Sequence, residues 1–149
     1  MSTTAKKVAY TLDSTLQSVD EAEQRAGEFC CDCGYDEDEV QRIQMAVREA
    51  AINAVFHGNQ CDPTKKVDLH FERTPESLSI VVRDQGEGLD LEKIPDPLAA
   101  ENLLKPSGRG IFLIRSFMDD VRFRKLTPGT EITLIKHGGP SSAGKEDSK

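Results

Sequence analysis

The sequence predicts a protein of the α/β class, of the α+β kind, and three observations lead there. Apolar residues alternate with polar ones in five short segments, two longer segments carry apolar residues at spacings of three and four, and turn residues separate them. Residues 6 to 12 alternate Val8, Tyr10 and Leu12 against polar neighbours, the mark of a half-buried strand, and Ser14 begins a loop into the first helix. From Val19 to about Cys33 the positions Val19, Ala22, Ala26, Phe29 and Cys33 share one helix face, and Gly34 is placed to end it. Asp36 is placed to cap a second helix, with Glu37, Asp38 and Glu39 in the first turn against the positive end of the dipole. Its buried stripe is Ile43, Val47, Ala50 and Ala54, and Gly58 is the expected stop.

A polar connection with Asp62-Pro63 leads to Val67, Leu69 and Phe71, and Leu78 to Val82 follows after Arg73-Thr74-Pro75-Glu76, so these two strands form an antiparallel hairpin. Residues 88 to 107 contain three prolines and little periodicity. Loops of that length within a compact domain are usually functional, and a mobile lid is expected. Gly110 to Met118 reads as a short apolar helix. Val121, Phe123 and Lys125 mark one more strand and Ile132 to Ile135 another, with Pro128-Gly129 turning between them. One domain over residues 1–137 is expected, and residues 138–149, small and charged, form a disordered tail.

At 149 residues the chain is long enough to bury roughly 70% of its unfolded surface without disulfides. No run approaches the ~20 apolar residues needed to cross a bilayer, and the first residues lack the apolar segment of a signal peptide, so a cytoplasmic protein with no membrane contact is expected. A net charge of -7 and the lack of a basic stripe argue against direct nucleic-acid binding and favour a protein partner. Cys30 and Cys33 form a C-x-x-C pair that His57 or Cys61 could extend toward a zinc site. The second pair lacks the usual tight spacing, however, and Cys30, Cys31, Cys33 and Cys61 read better as buried or incidental thiols in a reducing compartment.

The chemistry concentrates in Glu49-Ala-Ala-Ile-Asn53, because a four-residue spacing on a helix places both side chains on one face with Cβ atoms about 5–6 Å apart. Magnesium takes few protein oxygens when a triphosphate supplies the rest, so the Asn53 carbonyl is enough of an anchor. Glu49, one turn away, is the candidate base for a hydroxyl or water near the γ-phosphate. Asp84-Gln85-Gly86-Glu87-Gly88 ends a strand, where a buried carboxylate can accept from the exocyclic amine of a purine while Gly86 and Gly88 let the backbone close on the ring. Gly108 and Gly110 open a helix whose free N–H groups suit an anion, with Arg109 and Lys105 adding positive charge. Thr130, after Gly129, offers a hydroxyl near the end of the Asp84 strand if the two strands are neighbours. Each signal has a plainer explanation taken singly, as a solvated helix face, an ordinary turn or a loop cation. Their order along the chain gives the set its weight.

These segments resemble the N, G1 and G2 boxes of the GHKL (Bergerat-fold) ATPases over roughly residues 6 to 137. Glu49-Ala-Ala-Ile-Asn53-Ala-Val-Phe-His57-Gly58 and the stretch from Gly108 to Val121 are most similar to the anti-sigma-factor serine kinases of the RsbW and SpoIIAB type. The resemblance implies a two-layer α/β sandwich, with helices on one face of a mixed, mostly antiparallel sheet and ATP held between helices and lid. It implies Glu49 as catalytic base, Asn53 as magnesium ligand, Asp84 as adenine reader, and Gly108 with Gly110 around the phosphates. It also implies a sigma factor and a STAS-type antagonist as partners, phosphorylation of a serine on that antagonist, and a homodimer. Arg109 stands where many relatives have a small or apolar residue, and the Cys30 to Cys33 cluster is outside the family pattern.

Two functions compete. One is an ATP-dependent serine kinase that is also an anti-sigma factor; the other is a switch module that binds ATP and a partner without transferring phosphate. Retention of Glu49 favours the first, since binding alone needs no base. A detached histidine-kinase catalytic domain is disfavoured, because none of His57, His70 and His137 is followed by an acidic residue in a dimerisation helix.

Overall fold

The structure, a computed structural model, describes residues 6–86 and 113–138. Its elements follow the expected order. Strand β1 (Lys6–Asp13) leads to helices α1 (Leu16–Cys33) and α2 (Glu37–Ile52), and α2 runs on into a π-helical turn, Asn53–Gly58. Strands β2 (Lys66–Arg73) and β3 (Ser77–Arg83) form the hairpin, and β4 (Asp120–Leu126) and β5 (Gly129–His137) close the described chain. The sheet order is β1-β2-β3-β5-β4, and among the described residues every neighbouring pair is antiparallel, in keeping with the mostly antiparallel sheet expected.

Local chemistry sets the helix ends. The Thr15 side chain accepts the Ser18 N–H at 3.1 Å to start α1. Gly34 ends the helix at φ 95°, a left-handed conformation that suits glycine, and the Tyr35 N–H donates back to the Cys30 carbonyl at 3.1 Å. Asp36 Oδ1 accepts the Glu39 N–H at 2.9 Å, the cap read from the sequence. Such caps contribute about 1 kcal/mol each.

Both helices bury small and aliphatic residues against one face of the sheet. Val19, Ala22, Ala26 and Phe29 of α1 and Ile43, Val47 and Ala50 of α2 meet Leu69, Phe71, Leu78, Ile80, Val82, Ile132 and Leu134. Phe29 stacks on Phe71 with centroids 5.2 Å apart. The two helices are tied at their surface by Arg48, which reaches Asp20 at 2.7 Å and Glu23 at 2.9 Å.

Strand β5 is longer than the apolar run Ile132 to Ile135 suggested, because it lies between β3 and β4 and its polar residues find cross-strand partners. Glu131 is 8% exposed and accepts from Arg83 at 2.6 Å and from Arg124 at 3.1 Å. Of the expected helix from Gly110 to Met118, residues 113–117 are helical; Gly110 lies outside the described residues. Ile114 and Met118 are buried there, and Lys136 anchors the segment by donating to the Phe117 carbonyl at 3.3 Å while pairing with Glu39 at 2.9 Å.

Candidate nucleotide site

The stripe of α2 continues through Ala54 and then takes in Val55, so two successive residues are buried, at 2% and 1% exposure. After Ile52 the chain widens into the π-helical turn, with the Asn59 N–H donating to the Ala54 carbonyl at 2.8 Å. The second helix therefore ends its α portion at Ile52, six residues before the expected stop at Gly58. Glu49 and Asn53 remain one turn apart, since the Asn53 N–H donates to the Glu49 carbonyl. Both side chains are half-buried, and neither forms a hydrogen bond or ion pair among the described residues.

Asp84 sits at the far side of this turn and is 7% exposed. Its Oδ1 accepts from the Gly86 N–H at 3.0 Å and the Thr130 N–H at 3.1 Å. Burial pushes the Asp84 carboxyl above its ordinary value, with these two backbone donors opposing the shift. Oδ2 faces Gly58 and carries no hydrogen bond among the described residues.

Three glycines make that approach possible. A Cβ on Gly58 would overlap the Asp84 carboxylate, one on Gly86 the Gly58 carbonyl, and one on Gly129, at φ 114°, the Asp84 carbonyl. Gly58 was legible only as a helix stop and Gly129 only as a turn residue; their tight contacts depend on which elements meet.

Thr130 lies beside Asp84, as expected of neighbouring strands. Its N–H donates to the carboxylate and its carbonyl accepts from the Asp84 N–H at 3.0 Å. Gly88, Lys105, Gly108, Arg109, Gly110 and the expected lid lie outside the described residues. The zinc reading gains no support: Cys30 is buried, Cys31 and Cys61 are exposed, all four thiols are free, and no group of three metal-binding side chains occurs among the described residues. Burial pushes the Cys30 thiol up to about 12, which makes it inert as a nucleophile.

Sequence reading also missed Asn59, which is 1% exposed. Its Nδ2 donates to Ser14 Oγ at 2.8 Å and to the Lys66 carbonyl at 3.0 Å, and its Oδ1 accepts from the Gln85 N–H at 2.7 Å. The next two residues, Gln60 and Cys61, hold φ at 54° and 58°, left-handed conformations that cost about 1–3 kcal/mol each outside glycine.

An antiparallel sheet with two helices on one face, a π-widened helix end bearing a carboxylate and a carboxamide, and a buried aspartate held by glycine turns define a nucleotide-binding α/β sandwich. Residues 12–136 match the histidine kinase-like ATPase domain, and the chain belongs to that family. It is 34% identical over 109 residues to an anti-sigma F factor of Anoxybacillus flavithermus, covering 71% of this chain and 75% of that one. It is 32% identical to the serine-protein kinase RsbW of Bacillus licheniformis, covering 69% and 68% of the two chains. Among solved structures, the RsbU and RsbW domains of a Mycobacterium tuberculosis protein share the fold, with a TM-score of 0.65 at 18% identity over 88% of this chain. This chain spans 32% of that longer one. The mycobacterial sensor histidine kinase MprB gives a TM-score of 0.54, also at 18% identity, with 88% of this chain and 99% of that one covered.

Proposed function

We propose that the chain is an ATP-dependent protein serine kinase and anti-sigma factor, built as one domain over residues 1–137. It sequesters a sigma factor and phosphorylates a serine of a STAS-type antagonist. It acts in the cytoplasm as a homodimer, without contacting nucleic acid. The names of its relatives support the class of activity. The observation that carries the site is the relation between two parts of one helix end. Glu49 and Asn53 hold unbonded polar side chains on the ridge, and the turn that Asn53 opens ends in Gly58 against the free oxygen of Asp84.

In this reading Asp84 Oδ2 accepts from the exocyclic amine of adenine, and Gly86, Gly88 and Thr130 shape the base pocket. Lys105, Gly108, Arg109 and Gly110 are the residues assigned to the phosphates. The hard oxygen donor of Asn53, free of protein partners, fits magnesium, which when bound neutralises charge on the phosphates. Glu49 takes the proton of the attacking serine hydroxyl as its oxygen bonds to the γ-phosphorus. The bond from that phosphorus to the β–γ bridging oxygen breaks, and ADP leaves.

Incubation of the purified chain with a STAS antagonist and γ-labelled ATP tests this. Acid-stable label on an antagonist serine is the expected result. Partner binding at saturating ATP with no label on the antagonist would support the non-catalytic switch instead, and acid-labile label on the chain would point to a histidine kinase.

A further inference from the structure

Asn59 belongs to no motif discussed above, yet its side chain joins four segments. It stands one residue beyond the π-helical turn and donates to Ser14 at the β1–α1 corner and to the Lys66 carbonyl at the start of β2. It accepts from the Gln85 N–H next to Asp84. The donors and acceptors around it fix its amide orientation, since the Lys66 carbonyl can only accept and the Gln85 N–H can only donate. Two further bonds brace the same junction. Ser14 Oγ donates to the Lys65 carbonyl at 2.6 Å, and Gln85 Oε1 accepts from the Lys66 N–H at 2.6 Å.

The position of Asn59 has a geometric consequence. Asp84 is held at Oδ1 by Gly86 and Thr130, which fix the carboxylate relative to its own turn and to β5. Neither bond relates Asp84 to the helix that carries Asn53. The Asn59–Gln85 bond does, because Asn59 follows directly on Gly58, whose backbone faces Asp84 Oδ2. Gln85 is itself exposed, so its amide would meet water without this acceptor.

Building on the nucleotide-site reading above, we infer that Asn59 is a positioning residue for base selectivity: its Oδ1 bond to the Gln85 amide sets the distance between Asp84 and the helix end that faces the phosphates. Loss of that bond lets the Asp84 turn move relative to the helix, and the carboxylate then no longer meets an exocyclic amine at a fixed distance. Selectivity falls before phosphate-driven affinity does.

The test compares ATP and GTP binding, each with magnesium, to the parent chain, Asn59→Ala and Ser14→Ala. Asn59→Ala is expected to lose at least tenfold in ATP affinity and at least fivefold in the preference for ATP over GTP. Ser14→Ala, which removes the Asn59–Ser14 and Ser14–Lys65 bonds and leaves the Asn59–Gln85 bond in place, is expected to lower the unfolding midpoint while keeping that preference within twofold of the parent. A folded Asn59→Ala chain with the parent's preference overturns the proposal. Should Asn59→Ala fail to fold, hydrogen exchange on the parent decides: a Gln85 amide as protected as that of Asp84 supports the bond, and one exchanging at the rate of an open loop overturns it. A parent that takes up no nucleotide defeats the nucleotide-site reading itself, a result distinct from bound ATP with unchanged preference in Asn59→Ala.

Discussion

The Asp84 corner and the Glu49–Asn53 ridge lie at two sides of one helix end, and they handle polar groups in opposite ways. At the corner, Asp84 Oδ1 takes two backbone donors and Asn59 takes part in three side-chain bonds, with Asp84, Asn59, Ser14 and Thr130 all buried. On the ridge, Glu49 and Asn53 are half-buried and have no side-chain partner among the described residues. A buried polar group without a partner costs 1–3 kcal/mol, so the corner must be satisfied by the fold before any ligand arrives. Ridge groups in reach of water carry no such requirement and stay available. Substitution at the corner should therefore disturb stability and binding together, whereas substitution on the ridge should change chemistry and leave the fold alone.

The largest effect is expected at the ridge. Glu49→Ala should lower phosphotransfer by about 10²–10⁴-fold, while ATP affinity stays within about twofold and the unfolding free energy within ~0.5 kcal/mol. Transfer assays set beside urea titrations would break the comparison if stability fell in step with activity. Gly129→Ala should show the opposite pattern. A left-handed φ and a Cβ against the Asp84 carbonyl predict a loss of roughly 2–4 kcal/mol in chemical denaturation, with nucleotide affinity falling alongside.

Asp84→Asn comes next, with ATP binding weakened about 10–100-fold, the scale of a hydrogen bond to a charged group. Burial raises the Asp84 carboxyl, and the ionised form is the one that accepts from an amine. Affinity of the parent should therefore drop on acidification at a pH above the ordinary aspartate value, and Asp84→Asn should flatten that dependence in calorimetric titrations across pH. The same shift carries the reverse sign for folding. A raised carboxyl contributes stability at low pH that is lost as pH climbs through the raised value.

Glu131 gives the smallest effect and a useful control away from both regions. Burial pushes its carboxyl up, but the hydrogen bonds from Arg83 and Arg124 outweigh this and hold it below the ordinary value. Its contribution is present above the ordinary glutamate range and is lost as pH falls through the lowered value. With Arg83 more than a third exposed, about 1 kcal/mol is expected, seen as a weaker acid dependence of thermal unfolding in Glu131→Gln.

Features set by neighbours in sequence were legible, and features set by distant ones were not. Asp36 and Gly34 act at their own helix ends, and the alternations at Val67 to Phe71 and Leu78 to Val82 name their own faces, so caps, stripes and the hairpin could be read directly. The π-helical turn escaped because the apolar spacing does not mark it: Ala46–Val47 and Ala50–Ala51 are buried as successive pairs within the α-helix just as Ala54 and Val55 are in the turn. Asn59 escaped because its partners are 45, 26 and 7 residues away, and Glu131 because a charged residue looks exposed until two arginines from adjacent strands are placed around it. At the candidate site, Glu49, Asn53 and Asp84 could be singled out by residue type and spacing, whereas the two backbone bonds between Thr130 and Asp84 could be known only once β3 and β5 were placed side by side.

The central claim is that ridge and corner serve one bound triphosphate, and calorimetric titration of the parent and Asn53→Ala with ATP, with and without magnesium, tests it most directly. The account predicts uptake of one ATP per chain, strengthened by magnesium in the parent and insensitive to magnesium in Asn53→Ala. No uptake of ATP by the folded parent, or equal magnesium enhancement in both chains, would contradict it.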